Sequence, residues 1–169
     1  AYTERAHAIQ RRDRGYYGLS WNSLLTALLQ LKAGNLQAAR STSQAGMQLI
    51  QEHLNGNPEH AAYQHVIQAA IAYEFDQFDT AEQQLEIGTE AIDSLGIADI
   101  MILTYLTRAR LQCSRGNLDA GLQALRLGRQ TARKRRLERV IVTLAAEECI
   151  WLLRSSEQGA ALSLAHQFG

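Results

Sequence analysis

The chain has 169 residues, 46% of them hydrophobic, with a single proline. Its 17 basic residues balance its 17 acidic ones, which removes the bulk attraction that nucleic acid or an anionic membrane would exert. No apolar run approaches the roughly 18 residues that cross a bilayer, and no signal-peptide pattern opens the chain. Together these features predict a soluble, cytoplasmic, all-α protein.

Hydrophobic periodicity places helices at about 3–14, 19–33, 36–54, 58–75, 78–95, 98–115, 118–135, 137–154 and 158–167. The first of these, within residues 1 to 15, reads as the back half of a preceding hairpin. The chain, which begins at Ala1, is therefore expected to be a piece of a longer array. Turn signals recur between helices. Gly34-Asn35-Leu36, Asp76-Gln77-Phe78 and Gly116-Asn117-Leu118 lie 42 and then 40 residues apart, and a degraded fourth, Ser156-Glu157-Gln158, follows after another 40. Between hairpins the breaks are Asn55-Gly56-Asn57-Pro58 and Ser94-Leu95-Gly96, where proline opens a helix and glycine ends one. The break near Arg136 has neither residue.

The turns set a register. Seven residues before the first residue of each turn stand Ala27, Ala69, Ala109 and Cys149; five after it stand Ala39, Ala81, Gly121 and Ala161. Small side chains at both places let two helix backbones approach, and a bulky replacement would overpack by about 1–3 kcal/mol. Gly46, Gly88 and Gly128 recur inside predicted helices, each at a cost of about 1 kcal/mol relative to alanine, so the next hairpin is expected to pack closely on them. The predicted architecture is one domain over 1–169, with hairpins at about 19–54, 58–95, 98–135 and 137–168. The hairpins are antiparallel and stack as a right-handed superhelix whose repeat is near 40 residues.

The pattern of small residue, turn, leucine or aromatic, then alanine resembles the tetratricopeptide repeat (TPR). The run from Tyr73 through Phe75, Asp76 and Phe78 to Leu85 resembles the central array of MalT-like regulators, the large ATP-dependent transcription activators of the bacterial LuxR family. So do Leu106-Thr107-Arg108-Ala109-Arg110-Leu111 and Arg115-Gly116-Asn117-Leu118-Asp119-Ala120, and the closing Trp151-Leu152-Leu153-Arg154 with Gly159-Ala160-Ala161-Leu162. Ser156-Glu157 stands where that family usually has glycine-aspartate. The resemblance implies a signal-sensing segment that binds a small-molecule inducer or a protein partner and communicates with other domains of the same protein. A homo-oligomer is also among the implied assemblies. ATP is implied only for an N-terminal module absent from these residues. No phosphate-binding loop and no DNA-reading helix pair is present, so no cofactor and no direct nucleic acid contact is expected of this segment. The alternative is a stand-alone TPR adaptor for a peptide or helix of a partner.

In TPR-like arrays the first helix of each hairpin lines the concave face. That rule nominates Trp21, Tyr63, Ile67, Thr107, Arg110 and Glu147 as a ligand groove, against the alternative of core packing with an Arg110–Glu147 ion pair. Arg126, Arg129, Arg133, Lys134, Arg135, Arg136 and Arg139 form a basic cluster around a predicted helix end. It reads either as complementing the helix C-terminus or as a docking patch for DNA phosphate or another domain, with the acidic Glu74, Asp76, Asp79, Glu82, Glu86 and Glu90 as its complement. His53, Glu59, His60 and His65 lack the spacing of a metal site. Cys113 and Cys149 read as buried, reduced thiols, and the acidic neighbours of Cys149 argue against a nucleophile, so no catalytic site is expected.

Overall fold

The computed structural model describes residues 15–92 and 97–168, with backbone alone for 90–92. The described residues are all helical and turn, without strands. They form two compact units that divide between Leu95 and Gly96. The first holds α1 (Tyr16–Lys32), α2 (Leu36–His53), α3 (Pro58–Glu74) and α4 (Phe78–Ile92); the second holds α5 (Ala98–Ser114), α6 (Leu118–Lys134), α7 (Glu138–Arg154) and α8 (Gln158–Ala165). Within each unit consecutive helices pack as pairs, and the first helices of successive pairs touch: α1 with α3, and α5 with α7. The helix expected at 3–14 and the break at 94–96 lie outside the described residues.

One backbone device closes five of these helices. Gly34, Asp76, Gly116, Arg136 and Ser156 all have left-handed φ, from +56° to +84°. In each case the next residue's N–H reaches back to the carbonyl five positions earlier, as in Asn35 to Gln30 at 2.9 Å and Leu137 to Ala132 at 3.0 Å. A second bond runs from the left-handed residue itself to the carbonyl three earlier. This closure satisfies carbonyls that a helix end otherwise leaves bare. Arg136 uses it without glycine, which is why the break there carries no sequence punctuation.

The second unit is therefore regular at half the expected repeat: α5, α6 and α7 have 17 residues each, separated by three-residue turns. In the first unit α2 has 18 residues and the break after it four, Leu54 to Asn57. Those two additions account for the 42-residue spacing. At that break Asn57 caps α3 by accepting the His60 N–H at 3.1 Å, with Pro58 at the first helical position. At the start of the chain's described part, α1 begins three residues before the expected Leu19, because Tyr16, Tyr17 and Gly18 continue its helix.

The small-residue register is the crossing point between paired helices. Ala27, Ala39, Ala69, Ala81 and Ala109 have no exposed surface, and a Cβ on Gly121 would lie 2.9 Å from the Ala109 carbonyl oxygen. The helical glycines mark a second contact. A Cβ on Gly46 would sit 2.5 Å from Gln64 Nε2 on α3, and one on Gly128 would sit 2.6 Å from Leu144 Cδ1 on α7. Gln64 and Leu144 each stand twelve residues before a turn, so the glycine of one hairpin receives the same register position of the next. Gly88 packs within its own hairpin, on Val66 and Ala62. In the second unit the core joins Met101, Tyr105, Leu125, Val140 and Leu144, with a satellite of Leu122, Leu152, Ala161 and Leu164.

Candidate functional sites

In the first unit a buried polar chain ties three helices together. Ser43 on α2 donates to Gln64 Oε1 on α3 at 2.9 Å, Gln64 Nε2 donates to Ser23 Oγ on α1 at 3.2 Å, and Ser23 Oγ donates to the Ser20 carbonyl at 2.7 Å. Ser20 Oγ is within hydrogen-bond reach of the Tyr17 carbonyl at 2.9 Å and also lies against His60 Nδ1. Ser20 Oγ and His60 Nδ1 share a hydrogen bond whose direction follows the imidazole tautomer, and the other ring nitrogen, Nε2, faces away from it. That atom is buried and has no partner among the described residues. The ring is 3% exposed and lies between Tyr17 and Trp21, at centroid distances of 4.4 and 5.1 Å. Burial holds the imidazole pKa below its ordinary 6.5, opposed by the neighbouring Glu59 carboxylate.

Trp21 and Tyr63, both nominated for the groove, do meet, with ring centroids 5.5 Å apart. Trp21 is half-buried, whereas Tyr63 and Ile67 are enclosed at 2% and 0% exposure. The Tyr63 phenol is pushed up to about 12 by burial and by the charge of Glu59, with which it also shares a hydrogen bond. A ligand approaching α1 and α3 from solvent therefore reaches Tyr17 and Trp21, while Tyr63 and Ile67 lie beneath the surface as packing residues. A more open hollow lies elsewhere in this unit: an apolar groove of about 490 Å³ between α1 and α2, lined among others by Leu19, Ala45, Leu49 and Tyr16, with Tyr16 stacked on His53 at 3.9 Å. Its volume is that of a small-molecule site. Register alone does not show this hollow, which depends on which positions of α2 stand opposite those of α1.

In the second unit Arg110 and Glu147 come together as a two-pronged ion pair, Nε to Oε1 at 2.7 Å and Nη2 to Oε2 at 2.8 Å. Trp151 Nε1 donates to the same Oε1 at 3.1 Å, and Arg154 lies 5.0 Å above the indole ring. Burial alone would raise the Glu147 carboxyl, but the bonds and charge of Arg110, aided by Trp151 and Arg154, bring its pKa below the ordinary range. Thr107 is buried at 4% exposure. The six nominated groove residues thus fall into two sets, three in each unit.

The basic cluster is partly consumed within the unit. Arg126 and Arg129 both bind the enclosed Glu148 carboxylate, the former at 2.7 Å. Arg139 makes a double bond pattern to Asp99, at 3.1 and 2.7 Å. Arg133, Lys134 and Arg136 are exposed and make no ion pair among the described residues. They sit at the C-terminus of α6, where the helix dipole favours cations.

The three histidines at 53, 60 and 65 have separate partners: His53 stacks on Tyr16, His60 meets Ser20, and His65 Nδ1 lies 2.7 Å from Gln84 Oε1. No group of three metal-ligating side chains occurs among the described residues. Cys113 and Cys149 are free thiols, half-buried rather than enclosed. Burial raises both pKa values, helped by Glu147 at Cys113 and by Glu148 at Cys149, which leaves little thiolate at neutral pH. No described helix is long and apolar enough to cross a membrane. Comparison with protein-family models, curated proteins and solved structures gives no match.

Proposed function

We propose that this chain is the ligand- or partner-sensing TPR-like segment of a MalT-like transcription activator of the LuxR family, a non-catalytic scaffold whose hairpins continue as a right-handed superhelix. Support comes from the sequence resemblance together with the paired all-helical architecture. The observation that carries the sensing role is the groove between α1 and α2, which is apolar and large enough for a small molecule. Binding there would change the transcriptional state only if the occupant prefers one packing of the hairpins, and a preference of about 1–3 kcal/mol gives a 5- to 150-fold response.

The test has two parts. The full reading frame around this chain should encode a phosphate-binding loop upstream and a helix-turn-helix downstream; a frame lacking both removes the regulator reading. In the intact regulator, Ala45→Trp fills the groove and should abolish the reporter response to a panel of candidate inducers without lowering the melting temperature. An unchanged response removes the groove as the sensing site.

A further inference from the structure

A second hollow, of about 200 Å³, lies inside the first unit, between α2 and α4 with α3 as its floor. The register of the turns shows what fills the same place in the second unit. Counted from the turns at Gly34 and Gly116, Arg40 and Gln44 on α2 correspond to Leu122 and Arg126 on α6. Counted from those at Asp76 and Ser156, Gln68 on α3 and Gln84 on α4 correspond to Glu148 on α7 and Leu164 on α8. In the second unit these side chains satisfy one another: Leu122 and Leu164 share an apolar cluster with Leu152, and Arg126 bonds Glu148 at 2.7 Å. In the first unit a cation and an amide stand in place of the leucines, and two amides in place of the ion pair.

The outcome is a guanidinium without a counter-ion. Arg40 is half-buried and held by neutral groups: Nη2 donates to Gln77 Oε1 at 3.0 Å, and the guanidinium carbon lies 4.2 Å from the centre of the Phe75 ring. It makes no ion pair among the described residues, and no residue lining the hollow is acidic. The side-chain amides of Gln44 and Gln68 line the same hollow and have no hydrogen-bond partner among the described residues. A cation fixed in a recess of amides pairs best with a carboxylate, whose two oxygens match the guanidinium fork.

We propose that the hollow between α2 and α4 binds a small carboxylic acid that also carries an amide or hydroxyl group, with its carboxylate on Arg40 and its polar end among Gln44, Gln68 and Gln84. The volume is below the roughly 300 Å³ at which drug-sized pockets begin, which limits the occupant to about the size of one amino acid. The site is separate from the groove between α1 and α2, and it stands whether the chain is a sensor or an adaptor. An acidic side chain of a peptide has the same chemistry as a free acid, and the test separates the two.

Nuclear magnetic resonance titration of the nitrogen-15-labelled chain follows the Arg40 Nε–H and the side-chain amides of Gln44, Gln68 and Gln84. The probes are N-acetylglutamine, its neutral amide N-acetylglutaminamide, and a short capped peptide whose one charge is a glutamate. N-acetylglutamine should shift these signals, and the neutral amide should bind at least tenfold more weakly. Arg40→Leu, which copies Leu122, should weaken the acid at least tenfold. So should Gln44→Glu, at an exposed position one helical turn from Arg40, where the new carboxylate takes up the guanidinium while the melting curve is unchanged. Equal binding of acid and amide, binding that neither variant weakens, or no shift at Arg40 with any probe overturns the proposal. Tighter binding of the peptide than of the free acid also overturns it, since the hollow would then dock an acidic segment of a partner.

Discussion

Arg110 and Glu147, 37 residues apart in the chain, lock α5 to α7 through two parallel bonds, and Trp151 anchors the carboxylate from the same helix. The carboxylate is nearly enclosed, while the guanidinium keeps over a third of its surface in water, so the pair is intermediate between a surface and a buried ion pair. A double-mutant cycle with Arg110→Met and Glu147→Gln should give a coupling of about 1–3 kcal/mol by urea denaturation. Coupling near zero would show the pair to be solvated in solution. Because the Glu147 pKa is lowered by folding, this stabilisation is present above its ordinary 4.5 and is lost as pH falls through the folded value.

Glycines at different places in the register should respond oppositely to alanine. Gly128→Ala puts a methyl 2.6 Å from both Leu144 and the Tyr105 ring, and overpacking of about 1–3 kcal/mol should exceed the helix-propensity gain of about 1 kcal/mol. Gly159→Ala meets nothing within 4 Å. It should raise the melting temperature of the second unit, and a fall would contradict the open environment found at α8.

Arg136 holds a left-handed φ of +56° that glycine adopts without penalty. Arg136→Gly should stabilise the chain by about 0.5–1 kcal/mol in thermal or urea denaturation. The same substitution also removes a cation from the end of α6, worth about 0.3–1 kcal/mol, so the measurement belongs at high salt, where that loss is screened. A destabilised variant under those conditions would contradict the left-handed closure.

His60 should make the first unit sensitive to acid. Its folded pKa lies below 6.5, so the unfolded chain takes up a proton more readily. Stability is then constant above about 6.5, falls as pH drops from there to the folded value, and levels off below it. The chain has two tryptophans, Trp21 in the first unit and Trp151 in the second. Urea titrations of a Trp151→Phe variant followed by fluorescence therefore report on the first unit. His60→Gln should flatten this part of the profile below pH 6.5; an unchanged slope would assign it to other groups.

Much of this fold was legible because a three-residue turn after a fixed helix length leaves a strong period in sequence. The Arg136 turn escaped residue-based punctuation, since its left-handed closure depends on backbone bonds that any residue can accept at some cost. Pairing of Arg110 with Glu147 followed from register, which places both on facing sides of successive first helices. Register says nothing about depth, however. Trp21 and Tyr63 each stand thirteen residues before a turn, yet Trp21 is half-buried and Tyr63 is enclosed at 2% exposure. Least legible was the chain from Ser43 through Gln64 to Ser23 and His60. Serine and glutamine usually mark surface positions, and only their mutual satisfaction explains their burial.

The equal turns of the second unit bear on how an array of this kind changes length. Gly116 and Ser156 leave their helices with the same closure, although one is glycine and the other is not. Excising the 40 residues between them would join two matching backbone ends, and inserting another 40 would do the same. Size in this unit is a modular quantity, adjustable in whole steps, while each retained helix keeps the facing positions it already had.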